Sequence, residues 1–274
     1  MQQKTLNLIG DIRTILSSYN VRITVRQLYY QLVAKQIIQN NLNSYKRLDS
    51  ILSDARKNGS LDFSAFVDRI RRPIKTSSWL DLKDFILSVK NSYHKDKWEN
   101  QENYVEVWLE KDALAGIFEP ITKKYDINLA IGRGYQSLSS LNDAARRFPK
   151  DKEIHVLYFG DFDPTGLDIP RSAEKNLNDH FGLYPTFEKL ALTKADIDQY
   201  KLPPAPAKPT DSRTHAFVKV HGDIAVELDA LPPDVLVERI EGNIIKYLDI
   251  NQFKKDLHTE KEEIKKLNGL QIKL

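Results

Sequence analysis

V-L-Y-F-G-D-F-D-P-T-G-L-D-I at residues 156–169, read with V-E-V-W-L-E-K at 105–111, decides the fold. Each is an apolar run too short for a helix, and each ends in carboxylates. Runs of this length without alternation are the pattern of strands buried on both faces. Glu110, Asp161 and Asp163 are therefore expected where two such strands open into loops. On an extended segment alternate residues share a face, so Asp161 and Asp163 point one way and Phe162 the other. Asp-Pro and Thr-Gly are also ordinary turn dipeptides, and on that blander account the two aspartates merely open a turn.

The surroundings of Glu110 favour the first account. Ala113, Leu114, Ala115, Ile117 and Phe118 follow at helical spacing, giving a β-α unit with its acid at the strand's C-terminal end. I-N-L-A-I-G-R-G-Y at 127–135 reads as a further strand entering a Gly-x-Gly turn, and S-L-S-S-L-N-D-A-A-R-R-F at 137–148 as the next helix. The order β-α-β-α-β-α predicts an α/β domain built on a parallel sheet with crossover helices. Three converging carboxylates repel one another unless a divalent cation joins them, and hard oxygen donors with room for water suit Mg²⁺ or Mn²⁺. The site expected is one for phosphate chemistry.

Upstream, T-V-R-Q-L-Y-Y-Q-L-V at 24–33 predicts a helix with Thr24 as N-cap and Val25, Leu28, Tyr29, Leu32 and Val33 on the buried side. Tyr29 and Tyr30 point about 100° apart on it, so Tyr29 joins the apolar stripe. Tyr30 follows Arg26 by four and shares the polar face. A guanidinium one turn before a phenol can hold a phosphate and favour the phenolate during attack. An amphipathic helix with an ordinary surface tyrosine is the plain alternative.

These segments resemble a known family. W-L-E-K-D-A-L-A-G, G-R-G-Y and G-D-F-D-P-T-G-L-D-I look like the Toprim domain, in the version found in the A subunit of topoisomerase VI and its meiotic double-strand-break relatives. T-x-R-x-L-Y-Y looks like that family's winged-helix motif. The resemblance implies Mg²⁺ bound by Glu110, Asp161 and Asp163, and Tyr30 as the nucleophile that becomes joined to a 5′ phosphate, with Arg26 as its helper. It also implies a homodimer in which the tyrosine of one protomer lies beside the metal of the other, so that both strands of duplex DNA are cut. No ATPase segment is recognised, so strand passage would require a separate ATP-binding subunit. V-E-L-D-A-L at 226–231 resembles a short motif late in the same family, though Glu227 and Asp229 also suit a structural role.

Charge agrees with a DNA partner. Residues 1–75 hold 13 Lys and Arg against 5 Asp and Glu, net +8, while the remainder holds 28 against 33, net −5. Within the basic part, S-D-A-R-K-N-G-S-L at 53–61 and D-R-I-R-R-P at 68–73 suggest a recognition helix, a turn at Asn58-Gly59 and a wing. Arg56, Lys57, Arg69, Arg71 and Arg72 are the expected phosphate contacts, which give affinity and salt dependence with little sequence preference.

The expected organisation is a winged helix-turn-helix domain at 1–75, an amphipathic helix and polar hinge at 76–103, and a Toprim-like domain with a C-terminal helical extension at 104–274. The helix over 76–91 carries Trp79, Leu82, Phe85 and Ile86. L-P-P-A-P-A-K-P-T at 202–210 is expected as an extended loop, and a charged helix over 254–267 aligns Leu257, Ile264 and Leu267. The chain has no cysteine, hence no disulfide framework and no thiolate zinc site. With no apolar stretch of membrane length and no signal-peptide pattern, a soluble cytoplasmic protein is expected. Three activities fit this reading, in order: tyrosine transesterification on DNA, hydrolysis by a Toprim-type metal nuclease with water as nucleophile, and DNA binding without catalysis.

Overall fold

Isoleucines at 9, 12 and 15 share one side of a helix, and α1 (Gln3–Ser17) buries all three. The computed structural model describes residues 3–19, 22–62, 65–66, 76–132, 134–207 and 211–269. α2 (Val25–Ala34) begins as its sequence predicts. The Thr24 side chain accepts from Gln27 N–H, and the Gln27 side chain accepts from Thr24 N–H, which satisfies donors that a helix start leaves open. Leu28, Tyr29, Leu32 and Val33 are buried and Tyr30 is half-buried at the edge of the stripe. α3 (Leu42–Lys57), capped by Asn41, adds Leu48, Leu52 and Ala55 to this first core. Burial of each such leucine or isoleucine contributes about 1.5–3 kcal/mol.

S-D-A-R-K is thus the last stretch of a sixteen-residue helix, not a short separate one. The turn expected at Asn58-Gly59 is present, with Gly59 at φ +75° in the left-handed region that glycine tolerates. Arg69, Arg71 and Arg72 lie outside the described residues.

α4 (Leu82–Asn91) starts six residues later than expected, because Asp81 accepts from Asp84 N–H (2.8 Å) and sets the N-terminus there. None of its residues is buried; Trp79 and Phe85 pack edge to face on its outside. The polar segment that follows is docked on the molecule: Trp98 is buried with Nε1 donating to Tyr125 O (2.7 Å), and Lys97 Nζ donates to Glu260 (2.7 Å).

The second part is an α/β sandwich. β1 (Asn103–Leu109), β2 (Asn128–Ile131), β3 (Glu153–Phe159) and β4 (Thr186–Ala191) form one parallel sheet in the order β2-β1-β3-β4. β1 and β3 are central and paired over their whole length, from Asn103 opposite Glu153 to Leu109 opposite Phe159. Helices cover both faces, which is why the two runs are apolar throughout. On one face Val105, Val107 and Leu109 meet Ile117 and Phe118 of α5 (Ala115–Tyr125). On the other, Trp108, Val156 and Tyr158 meet Leu141 of α6 (Leu138–Arg147) and Ala173 and Leu177 of α7 (Pro164–Phe181).

β1 connects outward to β2 through α5 on one face, and β3 connects outward to β4 through α7 on the opposite face. The C-terminal ends of β1 and β3 therefore flank a topological switch point, where an open parallel sheet leaves a crevice. The remaining helices are α8 (Lys194–Tyr200), α9 (Thr214–His221), α10 (Pro233–Lys246) and α11 (Ile250–Gly269). α10 lies on the α5 side, where Leu236, Ile240 and Ile244 join the same core. In α11, Leu257, Ile264 and Leu267 are half-buried, while Phe253 and Asp256 are its buried residues. No described helix is long and apolar enough to cross a membrane.

Candidate active site

Glu110 is the first residue beyond β1, and its N–H still donates to Phe159 O across the ladder (2.9 Å). Its Oε2 accepts from Tyr158 OH (3.1 Å) and from Asp161 N–H (2.9 Å). Two glycines make this possible. A Cβ at Gly160 would meet Glu110 Oε2 and Tyr158 OH, each at 2.4 Å, and a Cβ at Gly166 would meet the Asp161 carbonyl oxygen at 2.3 Å. The spacing in G-D-F-D-P-T-G thus lets α7's first turn press against the loop carrying Asp161.

Asp163 caps α7: its Oδ1 accepts from Gly166 N–H (2.6 Å), and Pro164 occupies the first helical turn, where no N–H is needed. Asp161 is buried. Its Oδ1 accepts from Leu228 N–H (2.8 Å) and lies 2.9 Å from Lys111 Nζ. Burial pushes its carboxyl up to about 7, with Lys111 opposing and Glu110 reinforcing that rise. Each of the three acids therefore has one oxygen held by the chain. No described residue hydrogen-bonds the other, at Glu110 Oε1, Asp161 Oδ2 or Asp163 Oδ2.

Lys111 connects this end of the sheet to a second acidic segment. Its Nζ lies 2.8 Å from Glu227 Oε2 and 2.9 Å from Asp229 Oδ2, in addition to Asp161. Burial disfavours its charge, but the three carboxylates outweigh that and raise its pKa. V-E-L-D-A-L is brought here by an antiparallel bridge in which Phe162 and Val226 exchange both backbone hydrogen bonds (2.9 and 3.0 Å). Asp229 is fully buried, and neither of its carboxylate oxygens accepts a well-aligned hydrogen bond from any described residue. Among the described residues Lys111 is the one that ion-pairs with it.

From the other side comes α2. Arg26 pairs with Glu227, Nε donating to Oε2 at 3.1 Å and Nη2 also contacting it, and Gln31 Nε2 reaches Ala230 O (3.5 Å). Tyr30 sits beside this pair, with the Arg26 guanidinium 5.9 Å from its ring centre. Burial and then the charge of Glu227 raise the phenol's pKa, against the opposing charges of Arg26 and Lys111. A cleft of about 320 Å³ opens on Tyr30, lined also by Arg26, Tyr29, Asn40, Asn41 and Tyr45. Glu227 itself is held below the ordinary carboxylate range, because Lys111 and Arg26 overcome the effect of its burial.

The structure thus joins Arg26 and Asp161 in one network beside Tyr30, with Glu110 bonded to Asp161 and Asp163 set apart as a cap. Lys57 is exposed on the last turn of α3, while Arg56 is half-buried, donating to Leu52 O (3.1 Å) and stacking on Phe66. Two lysines escaped the sequence reading. Besides Lys111, Lys189 of β4 is buried and donates to the carbonyls of Gly160 (3.0 Å), Asp161 (2.9 Å) and Gly166 (3.2 Å), its pKa brought down to about 8 by burial despite the nearby acids. It ties down the loop that carries the aspartates.

Glu110, Asp161 and Asp163 each keep an oxygen that no described residue hydrogen-bonds, and hard oxygen donors of this kind are those a divalent cation would take. Among the described residues no group of three or more His, Cys, Asp and Glu is placed to hold a metal ion. No protein-family model matches the chain, and neither does any curated protein.

Proposed function

We propose that this chain cuts DNA by transesterification, with Tyr30 as nucleophile. The observation carrying the proposal is the unbroken series of ion pairs from Arg26, one turn before Tyr30, through Glu227 and Lys111 to Asp161. It links the guanidinium one turn before the phenol to the buried acid Asp161, and Arg26 and Tyr30 both line the same cleft. The likeness of the three motif segments to the A subunit of topoisomerase VI supports the same chemistry. On this reading the N-terminal helices form a winged helix-turn-helix, in keeping with α1 to α3 and the bridge between Ile23 and Phe66, and the sheet domain is Toprim-like.

Tyr30 Oη attacks a phosphodiester phosphorus, the bond to the 3′ oxygen breaks, and the enzyme is left joined to the 5′ phosphate. The phenolic proton leaves to water through the open cleft, and the departing 3′ oxygen takes one from water. Arg26 steadies the non-bridging phosphate oxygens, and Lys111 adds a second fixed positive charge. Mg²⁺, or Mn²⁺ in its place, held by Glu110, Asp161 and Asp163, would supply positive charge to the phosphate and the leaving oxygen. One chain carries one Tyr30, so on this reading both strands of a duplex are cut by a homodimer.

One observation favours a hydrolytic alternative. The phenol is held neutral by burial and by Glu227, which suits a tyrosine that contacts DNA while water attacks.

Incubating the protein with supercoiled plasmid and Mg²⁺ or Mn²⁺, stopping with detergent and splitting the sample with and without protease separates the two. Breaks whose 5′ ends carry protein, absent from Tyr30→Phe and Asp161→Ala, are the result expected. Protein-free breaks that survive Tyr30→Phe would assign the activity to hydrolysis.

A further inference from the structure

Glu227 is placed oddly for a structural acid. Its carboxylate oxygen Oε2 receives both Arg26 and Lys111 Nζ, directly beside the Tyr30 phenol. It is about a third exposed, and Arg26 about half, so the pair faces solvent while Lys111 is held from behind by Asp161 and Asp229. Two cations converging on one oxyanion, with a nucleophile alongside, is the arrangement a phosphodiester requires. Resting on the transesterase reading, we propose that Glu227 occupies the seat of the scissile phosphate in the DNA-free protein, and that a DNA strand must displace it to reach Arg26 and Lys111.

The chemistry of the exchange is balanced in charge. A carboxylate and a phosphodiester each carry one negative charge and present oxygens to the same donors, so Arg26 and Lys111 are neutralised with either occupant. The two differ in what they do to Tyr30. Glu227 offers the phenol no atom to attack, while a phosphodiester in the same seat brings phosphorus to it. The seat is thus closed by the chain's own acid until a strand arrives. Asp229, behind Lys111 and without another partner among the described residues, keeps that lysine in place when Glu227 leaves.

The test is binding, measured with cleavage prevented. Anisotropy of a fluorescein-labelled duplex is followed in EDTA at fixed salt for wild type, Glu227→Gln, Glu227→Asp, and Asp49→Asn as a control that removes an exposed acid from α3. Glu227→Gln should bind at least roughly tenfold tighter, because a close competing charge is gone. Asp49→Asn should change affinity less than about twofold, since an exposed charge is largely screened. Adding Arg26→Gln to Glu227→Gln should erase the gain.

Glu227→Asp, which keeps the charge and withdraws it by one methylene, should gain less than Glu227→Gln but more than the control, and it decides the matter if the Gln variant does not fold. Affinity equal to the control in the folded Glu variants would overturn the proposal. So would a gain in binding inorganic phosphate with duplex affinity unchanged, which would make the seat one for free oxyanions. Tighter duplex binding without protein-linked cleavage would leave the seat standing and sink the transesterase reading, and protein-linked cleavage with no change in affinity would do the reverse.

Discussion

Two glutamates four residues apart, Glu106 in the middle of β1 and Glu110 just beyond its C-terminal end, are treated differently. Glu106 is fully buried, and both its oxygens are satisfied: Tyr104 OH (2.7 Å) and Arg147 Nε (3.0 Å) donate to Oε1, Trp108 Nε1 (2.9 Å) and Arg147 Nη2 (3.2 Å) to Oε2. Glu110 is half-buried, with only Oε2 held by the chain. A buried charge must be compensated, and Glu106 is compensated by groups that never leave. Of the acids at the switch point Asp161 is compensated by Lys111, whose ammonium it shares with Glu227 and Asp229. Full satisfaction marks a carboxylate that builds the fold, and shared, incomplete satisfaction marks one that can bind.

Substitution should separate the two. Glu110→Gln and Asp161→Asn should each lower metal-dependent DNA cleavage by about 10²–10³-fold, as loss of one charge-stabilising group does, without lowering the melting temperature. Glu106→Gln should do the opposite. It leaves Arg147 and two neutral donors facing a weaker acceptor and should cost about 2 kcal/mol by denaturant titration, moderated because Arg147 is partly exposed. Its folded fraction should cleave at the normal rate.

Gly160→Ala sharpens the comparison further, since its Cβ would strike Glu110 and Tyr158 and nothing near Glu106. The expected loss is about 1–2 kcal/mol in stability, with Mn²⁺ affinity reduced, as titration calorimetry would measure.

The smallest effect is one of pH. Asp161's folded pKa is raised to about 7, chiefly by burial, so below its ordinary value near 3.8 both folded and unfolded chains are protonated there and it contributes nothing. As pH rises through that window the unfolded chain ionises first, and the folded chain loses stability until the loss is complete above 7. In chelator, wild type should therefore lose stability relative to Asp161→Asn as pH rises from 4 to 8, as denaturant titration at each pH would measure. A gap that widens in the other direction would mean Lys111 dominates.

Much of this was legible from residue order. V-E-V-W-L and V-L-Y-F read as buried parallel strands because helices cover both faces, and the phase of α2 placed Tyr29 inside; Tyr30, expected on the polar face, is half-buried against both cores because α2 packs on the second domain as well as the first. The turn chemistry of Asp-Pro was also real: Asp163 Oδ1 caps α7. What stayed hidden depended on contacts that no local periodicity encodes. V-E-L-D-A-L reaches the site through the bridge of Val226 to Phe162, a pairing of residues far apart in the chain. Lys111 read as an ordinary charge after a strand, and Lys189 as one lysine in T-F-E-K-L-A. The start of α4 was missed because Asp81 outcompetes the apolar residues before it as a helix start.

The account stands or falls on which atom attacks DNA. The direct measurement is to trap the product of a plasmid cleavage reaction in detergent, digest DNA and protein to small fragments, and find by mass spectrometry the residue carrying a nucleotide. A 5′-phosphoryl nucleotide on Tyr30 is the predicted result; cleaved DNA with free 5′ phosphates and no adduct, or an adduct on another residue, would contradict it.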